Sequence, residues 1–278
     1  MEDELQVEAY KKFWKFYTTV HTDASPLLPY EEFVTDQGYT MGWFYDGMEE
    51  DFTKQLLNSI NRFSHEIDVI DIWSNHIFTN YSESEQFELA YQFLELPFYF
   101  CLNQPQSIRD RIIYCATHLC HQANLFRKIE GYKDHLPDEK KINKKELSNR
   151  LVHWDIKNIL IDNIESIASE EYLEKTNNYR NLAHHRVPPE LEYGHTGFIK
   201  RIGYQESSFE YTTFENGVEV KKIKETNGVA YSFGGTPPLK SKDMVELFKK
   251  QHCLLIKTFC SYWEMVLEHQ KYSKKIKE

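Results

Sequence analysis

Residues 179–186 read Tyr-Arg-Asn-Leu-Ala-His-His-Arg and run into Pro188-Pro189. Two imidazoles, two guanidiniums and a carboxamide share eight positions with only two aliphatic residues between them. A helix end needs only one or two cations to offset its dipole, so this density exceeds capping. A neutral imidazole can accept a proton near neutral pH. A guanidinium can hold two phosphate oxygens and stabilise the charge that builds on them. Arg180, Asn181, His184 and His185 are therefore the candidate catalytic residues, with Asn181 able to orient a phosphate or an imidazole. A competing reading is purely structural. In it Arg180 pairs with Glu174, Glu190 or a residue across a bundle, and the histidines close the helix against its last carbonyls.

The elements that must position this motif are mostly helical. Phe52, Leu56, Ile60, Phe63, Ile67 and Ile70 recur at spacings of three and four, predicting a helix over about 50–78. Ser82 and Glu85 form a capping box that opens a second helix, which Pro97 is expected to kink or end. Ile112, Cys115, Leu119, Ala123 and Phe126 mark a third over 108–129. A polar loop over 131–145 precedes one long helical run over about 145–187, with candidate breaks near Ser169-Glu170 and Asn177-Asn178, and the motif takes its last turns. Between 191 and 238 the pattern turns to strand, and Glu215-Asn216-Gly217 and Thr226-Asn227-Gly228 read as hairpin turns in a sheet of about three strands. Helix returns over 241–272. The first 50 residues read as a lead-in packed on the core, with a short aromatic helix over 4–17 and loops marked by Gly38, Gly42 and Gly47. Residues 51–278 then form the helical domain, carrying the insertion at about 192–238. The fold class is mainly α: a bundle of four to five long helices with a small antiparallel β insertion before the C-terminal helix.

Composition narrows the function classes. Lys and Arg number 33 against 43 Asp and Glu, a net charge of −10, which counts against a nucleic-acid coat but not against a local basic cleft. No apolar run approaches the roughly 20 residues of a membrane helix, and the acidic N-terminus does not read as a secretory signal, so a cytoplasmic protein is expected. Five cysteines without paired spacing read as reduced thiols. A zinc site from Cys115, His118, Cys120 and His121 is the sharper alternative, against packing roles for both histidines. Trp43-Phe44-Tyr45 and Phe98-Tyr99-Phe100 can stack bases, but burial is the expectation for both runs. Lys200, Arg201, Lys221, Lys222 and Lys224 give the insertion positive charge suited to a phosphate backbone or to a solvated sheet edge. No Gly-rich phosphate loop, nucleophile elbow or dinucleotide fingerprint is present, and no cofactor is expected.

With its helical context, Arg180-Asn181 followed by His185 resembles the signature of the HEPN superfamily, helical bundles that often act as metal-independent ribonucleases. The architecture of the resemblance spans about 50–272, and its specific part is six residues. It implies a metal-independent endoribonuclease working through the 2′-hydroxyl of RNA, as a toxin or defence effector, with a homodimer presenting two motifs to one cleft and an antitoxin or other protein as a further partner. The alternative it implies is a catalytically inactive HEPN-like module that binds RNA or a protein partner. Family spacing selects His185, with His184 second. Along one straight helix, however, His184 lies about 40° around from Arg180 and His185 about 140°, so which imidazole acts stays open.

Overall fold

A computed structural model describes residues 2–20, 27–33, 41–133, 135–185, 188–193, 199–215, 218–233 and 237–277. The chain divides into two compact units, residues 1–188 with 240–278, and residues 189–239. The fold is mainly α, with a single two-stranded antiparallel sheet among the described residues.

Three long helices make the core of the larger unit: α3 (Trp43–Asp71), α5 (Glu95–Phe126) and α10 (Ser241–Lys277). The spacing that predicted α3 buries Leu56, Ile60, Phe63, Ile67 and Ile70 completely or nearly so. Phe248 of α10 closes the junction, with its ring 6.3 Å from Phe63 and 6.0 Å from Phe98. The helix begins earlier than the stripe suggests, at Trp43, behind Gly42 with φ 109°, a backbone that side-chain-bearing residues rarely adopt. Gly47, expected in a loop, lies inside α3. Gly38 and the expected Ser25-Pro26 break lie outside the described residues.

The first helix, α1 (Glu2–Val20), is longer than expected and lays Phe13 on Trp73 at 5.1 Å with nearly parallel rings. A four-residue turn, α2 (Tyr30–Phe33), follows. After α3 come a π segment (Ile72–Ile77) and a 3-10 turn (Phe78–Asn80). Then α4 (Glu83–Leu89) starts with the predicted capping box, in which the Ser82 backbone N–H donates to Glu85 Oε2 at 2.8 Å.

Pro97 does not end this helix. A π segment (Ala90–Leu94) intervenes and α5 continues through Pro97 and Pro105. The widened turn just ahead takes up the Pro97 ring. Gln104-Pro105 interrupts the helical pattern, which is why the predicted start falls at Ile108, 13 residues late relative to Glu95.

The predicted single run over 145–187 is instead four helices: α6 (Lys144–Arg150), α7 (Lys157–Ser166), α8 (Glu170–Lys175) and α9 (Tyr179–His185). Breaks occur at both anticipated places. Ala168 has φ 49° and Ser169 begins α8 in extended conformation, while Asn177 and Asn178 adopt φ 51° and 52°, a left-handed geometry asparagine tolerates. A further break was not foreseen: a 3-10 turn (Leu151–His153) ends at Trp154, whose backbone is extended. A continuous helix would carry Trp154 away from its buried partner Asn124, which accepts the indole N–H at 2.8 Å.

The sheet has two strands rather than three, β1 (Ile199–Glu215) and β2 (Val218–Phe233). Glu215 pairs with Val218 across the first predicted turn, whose Asn216 and Gly217 lie outside the described residues. The second predicted turn runs straight through β2, with Asn227 opposite Gln205 and Gly228 opposite Tyr204. Cross-strand pairing with β1 overrides the local turn signal in β2.

Candidate functional site around Arg180

The motif helix α9 is seven residues long and leans on α5. Tyr179 anchors it, buried with its ring stacked on Tyr99 at 5.5 Å and 9°. Burial pushes the Tyr179 phenol up to about 12, so it stays neutral. One residue on, Arg180 reaches back to α5. Its Nη1 donates to Asp110 Oδ2 at 3.1 Å and to Gln106 Oε1 at 3.3 Å. The structural alternative for Arg180 thus has a real partner, but across the bundle rather than at Glu174 or Glu190.

Asp110 is shared. Its Oδ1 lies 3.4 Å from Arg109 Nη2, and Arg109 Nη1 donates to the Ile167 carbonyl at 3.3 Å. Two guanidiniums therefore bracket one carboxylate, leaving a net positive charge at this point of a strongly acidic protein. The Arg180 and Asp110 side chains are 32% and 48% exposed. A pair this open is worth only about 0–1 kcal/mol, so an incoming phosphate, which can take two guanidinium N–H groups at once, can displace it.

His184 is exposed and lies one helical turn after Arg180, the spacing at which side chains on a helix are neighbours. Asn181 is also exposed, at the next position around the helix. His185 closes α9, and its side chain lies outside the described residues, as does Arg186. The motif alone does not disclose Gln106, Arg109 and Asp110. Their signal in the sequence is a polar set at i, i+3 and i+4 of α5.

Beside Asp110 opens a cavity of about 510 Å³ between α5, the start of α6 and α7. Ile113, Ile142 and Ile164 give it apolar walls, and Lys144 pairs with Glu165 at its rim.

The other chemistry-bearing groups lie elsewhere. Cys120 Sγ faces Met265 Sδ at 3.3 Å and His269 Nε2 at 3.7 Å, whereas His121 Nδ1 meets the Tyr132 hydroxyl at 2.8 Å. Burial pushes the Cys115 thiol up to about 12. Half-buried His118 has its pKa lowered, chiefly by desolvation. Among the described residues no group of three or more His, Cys, Asp or Glu is placed to hold a metal ion. Trp43 and Phe44, expected in the core, are exposed instead, because α3 begins there and only Tyr45 turns inward. Phe98 is buried as expected.

These features define a mainly α helical bundle with a solvent-reachable arginine cluster on α5 and α9. No family model, curated protein or solved structure matches the chain. Among the described residues no helix is long and apolar enough to cross a membrane.

Proposed function

We propose that this protein is an endoribonuclease of the HEPN type, acting in the cytoplasm as a homodimer, and that Arg180 receives the scissile phosphate. The observation that carries the reading is Arg180 on α9, partly exposed, held by an easily displaced carboxylate and followed one turn later by exposed His184. In the proposed reaction the histidine takes the proton of the 2′-hydroxyl, and the 2′-oxygen forms a bond to phosphorus as the bond to the 5′-oxygen breaks. A proton delivered to the leaving oxygen balances the one removed. The products are a 2′,3′-cyclic phosphate and a 5′-hydroxyl, and neither water nor a metal is consumed. Arg180 stabilises the pentacoordinate phosphate. His184 is the histidine nearer to Arg180 on a single helix, His185 is the one the family spacing selects, and a second copy facing the motif would relax the single-helix constraint. A role as a toxin or defence effector, with a protein antitoxin, belongs to the same reading.

The test is incubation of a mixed RNA pool with the wild type and with Arg180→Ala, His184→Ala and His185→Ala in EDTA. Loss of roughly 100-fold or more in cleavage is expected for Arg180→Ala and for whichever histidine is the base. A wild type that cuts nothing sinks the catalytic reading. The tie of Arg180 to Asp110 and Gln106 favours a second one, an inactive module that binds RNA or a protein partner. An inactive wild type that still retards RNA would support it. Asp110→Asn gives a separate check on where RNA is received. Removing the competing anion should tighten binding of an all-uridine RNA by about three- to tenfold in a mobility-shift assay at low salt. Unchanged affinity would mean that RNA is not received at Arg180.

A further inference from the structure

We propose that the cavity beside Asp110 is a nucleobase subsite and that the base it takes is guanine. The proposal rests on the reading of Arg180 as a phosphate site. Asp110 joins the two places, since its carboxylate both contacts Arg180 and lines the cavity. A phosphate on Arg180 and a base in the cavity would thus both adjoin the Asp110 side chain.

The volume of about 510 Å³ falls in the range of roughly 300–1,000 Å³ typical of sites for small organic ligands. The faces of a base are apolar, and Ile113, Ile142 and Ile164 supply apolar walls, two of them buried. Its edge must then be read by the polar groups around them. Asn143 has at most one N–H left to offer. Its oxygen already accepts from the Lys145 and Glu146 backbone N–H groups at 2.9 and 3.2 Å, and its Nδ2 donates to the Lys141 carbonyl at 2.9 Å.

The charged groups are two donors, Arg109 and Lys144, and two acceptors, Asp110 and Glu165, paired as Arg109–Asp110 and Lys144–Glu165 in solvent-open ion pairs weak enough for a base edge to exchange them. Guanine matches this set, because it presents adjacent donors, N1–H and N2–H, to a carboxylate and adjacent acceptors, O6 and N7, to a cation. Adenine, cytosine and uracil offer no two adjacent donor atoms on their pairing edge, so a carboxylate there meets a lone pair. Arg109 is steadied by its bond to the Ile167 carbonyl and, through Nε and Nη2, by Asp110 Oδ1 at 3.5 and 3.4 Å, so its guanidinium stays beside the carboxylate that lines the cavity.

The test is equilibrium binding of the four nucleoside 3′-monophosphates and of inorganic phosphate to the full chain by calorimetry. Guanosine 3′-monophosphate is expected to bind at least tenfold tighter than the other three. Glu165→Gln, at an exposed site where folding is not at risk, should bring the four nucleotides within about threefold of one another. Ile142→Trp, which fills the cavity from its half-buried rim, should erase the preference while leaving phosphate binding intact, provided its circular dichroism matches the wild type. Equal binding of all four nucleotides, or a guanine preference that survives both variants, overturns the subsite. Phosphate binding that Arg180→Ala abolishes, without base preference, would leave the phosphate reading standing and remove the subsite alone. Guanine-selective binding that Arg180→Ala leaves unchanged would remove the phosphate reading and leave the subsite.

Discussion

Acidification from about pH 7 to about pH 4 is expected to strip roughly 3 kcal/mol from the fold through His269 alone. This imidazole is fully buried in α10, with Nδ1 2.7 Å from the Tyr45 hydroxyl, Nε2 3.7 Å from Cys120 Sγ, and the Trp154 ring 4.3 Å away. Burial depresses its pKa from the ordinary 6.5 to about 3. Burial likewise raises both the Tyr45 phenol and the Cys120 thiol, so neither supplies an anion to stabilise the imidazolium. His252, buried and with Nε2 lacking a hydrogen-bond partner, is depressed to about 4. As pH falls below 6.5 the unfolded chain binds protons on these histidines that the folded chain refuses, and stability falls. Glu49 works the other way. Burial raises it to about 7, so the folded state binds the extra proton between that value and the ordinary 4.5 and offsets one histidine. The decline from these three groups should therefore be shallow between about pH 6.5 and 4.5, steepest between about 4.5 and 4, and spent below about pH 3. Urea midpoints at a series of pH values would trace this, and His269→Gln, which keeps a polar group near Tyr45 without titrating, should flatten the acid limb. A variant as acid-labile as the wild type would locate the sensitivity elsewhere.

What the sequence discloses and what it hides follow from the range of the forces involved. The Ser82–Glu85 capping box and the left-handed Asn177-Asn178 step are decided within a few residues, so residue types announce them. The α3 stripe is legible because one packed face imposes its period over many turns. The break at Trp154 is not, because it depends on a hydrogen bond to Asn124, 30 residues away. The lost second hairpin turn has the same cause, since Asn227-Gly228 is a turn signal that pairing with Gln205 and Tyr204 suppresses. At the candidate site the motif itself is local, but what holds Arg180 is not. Asp110 lies 70 positions earlier, and its contact exists only because Tyr179 stacks on Tyr99 and lays α9 along α5. A short motif can name its reactive groups, yet the charge they sit in is set by whichever helix packs beneath them.

The corner that the sequence conceals is also where a single substitution should cost most. Trp154 ends the 3-10 turn between α6 and α7, and its N–H donates to Asn124 Oδ1 at 2.8 Å. Asn124 in turn donates to the Arg150 carbonyl at 3.0 Å, and both side chains are buried. The indole also lies against Tyr272 and beneath the Arg127 guanidinium, 5.2 Å from its centroid. Trp154→Ala removes a large buried ring and leaves Asn124 without its donor, so a loss of about 3–5 kcal/mol is expected in chemical denaturation. Trp154→Phe keeps most of the ring but not the N–H, and should cost about 1–3 kcal/mol, the penalty for an orphaned buried carbonyl. If Trp154→Phe were neutral, the hydrogen bond would not be what fixes the corner, and the local turn chemistry of residues 151–156 would have to account for it. The corner also has a functional reach. Residues lining the cavity beside Asp110 lie on both sides of the corner, Ile142 just before α6 and Lys144 at its start, and Ile164 and Glu165 on α7. Loosening Trp154 should therefore weaken nucleotide discrimination at temperatures where circular dichroism still reports a folded protein, whereas phosphate binding at Arg180, anchored through α5 and α9, should persist.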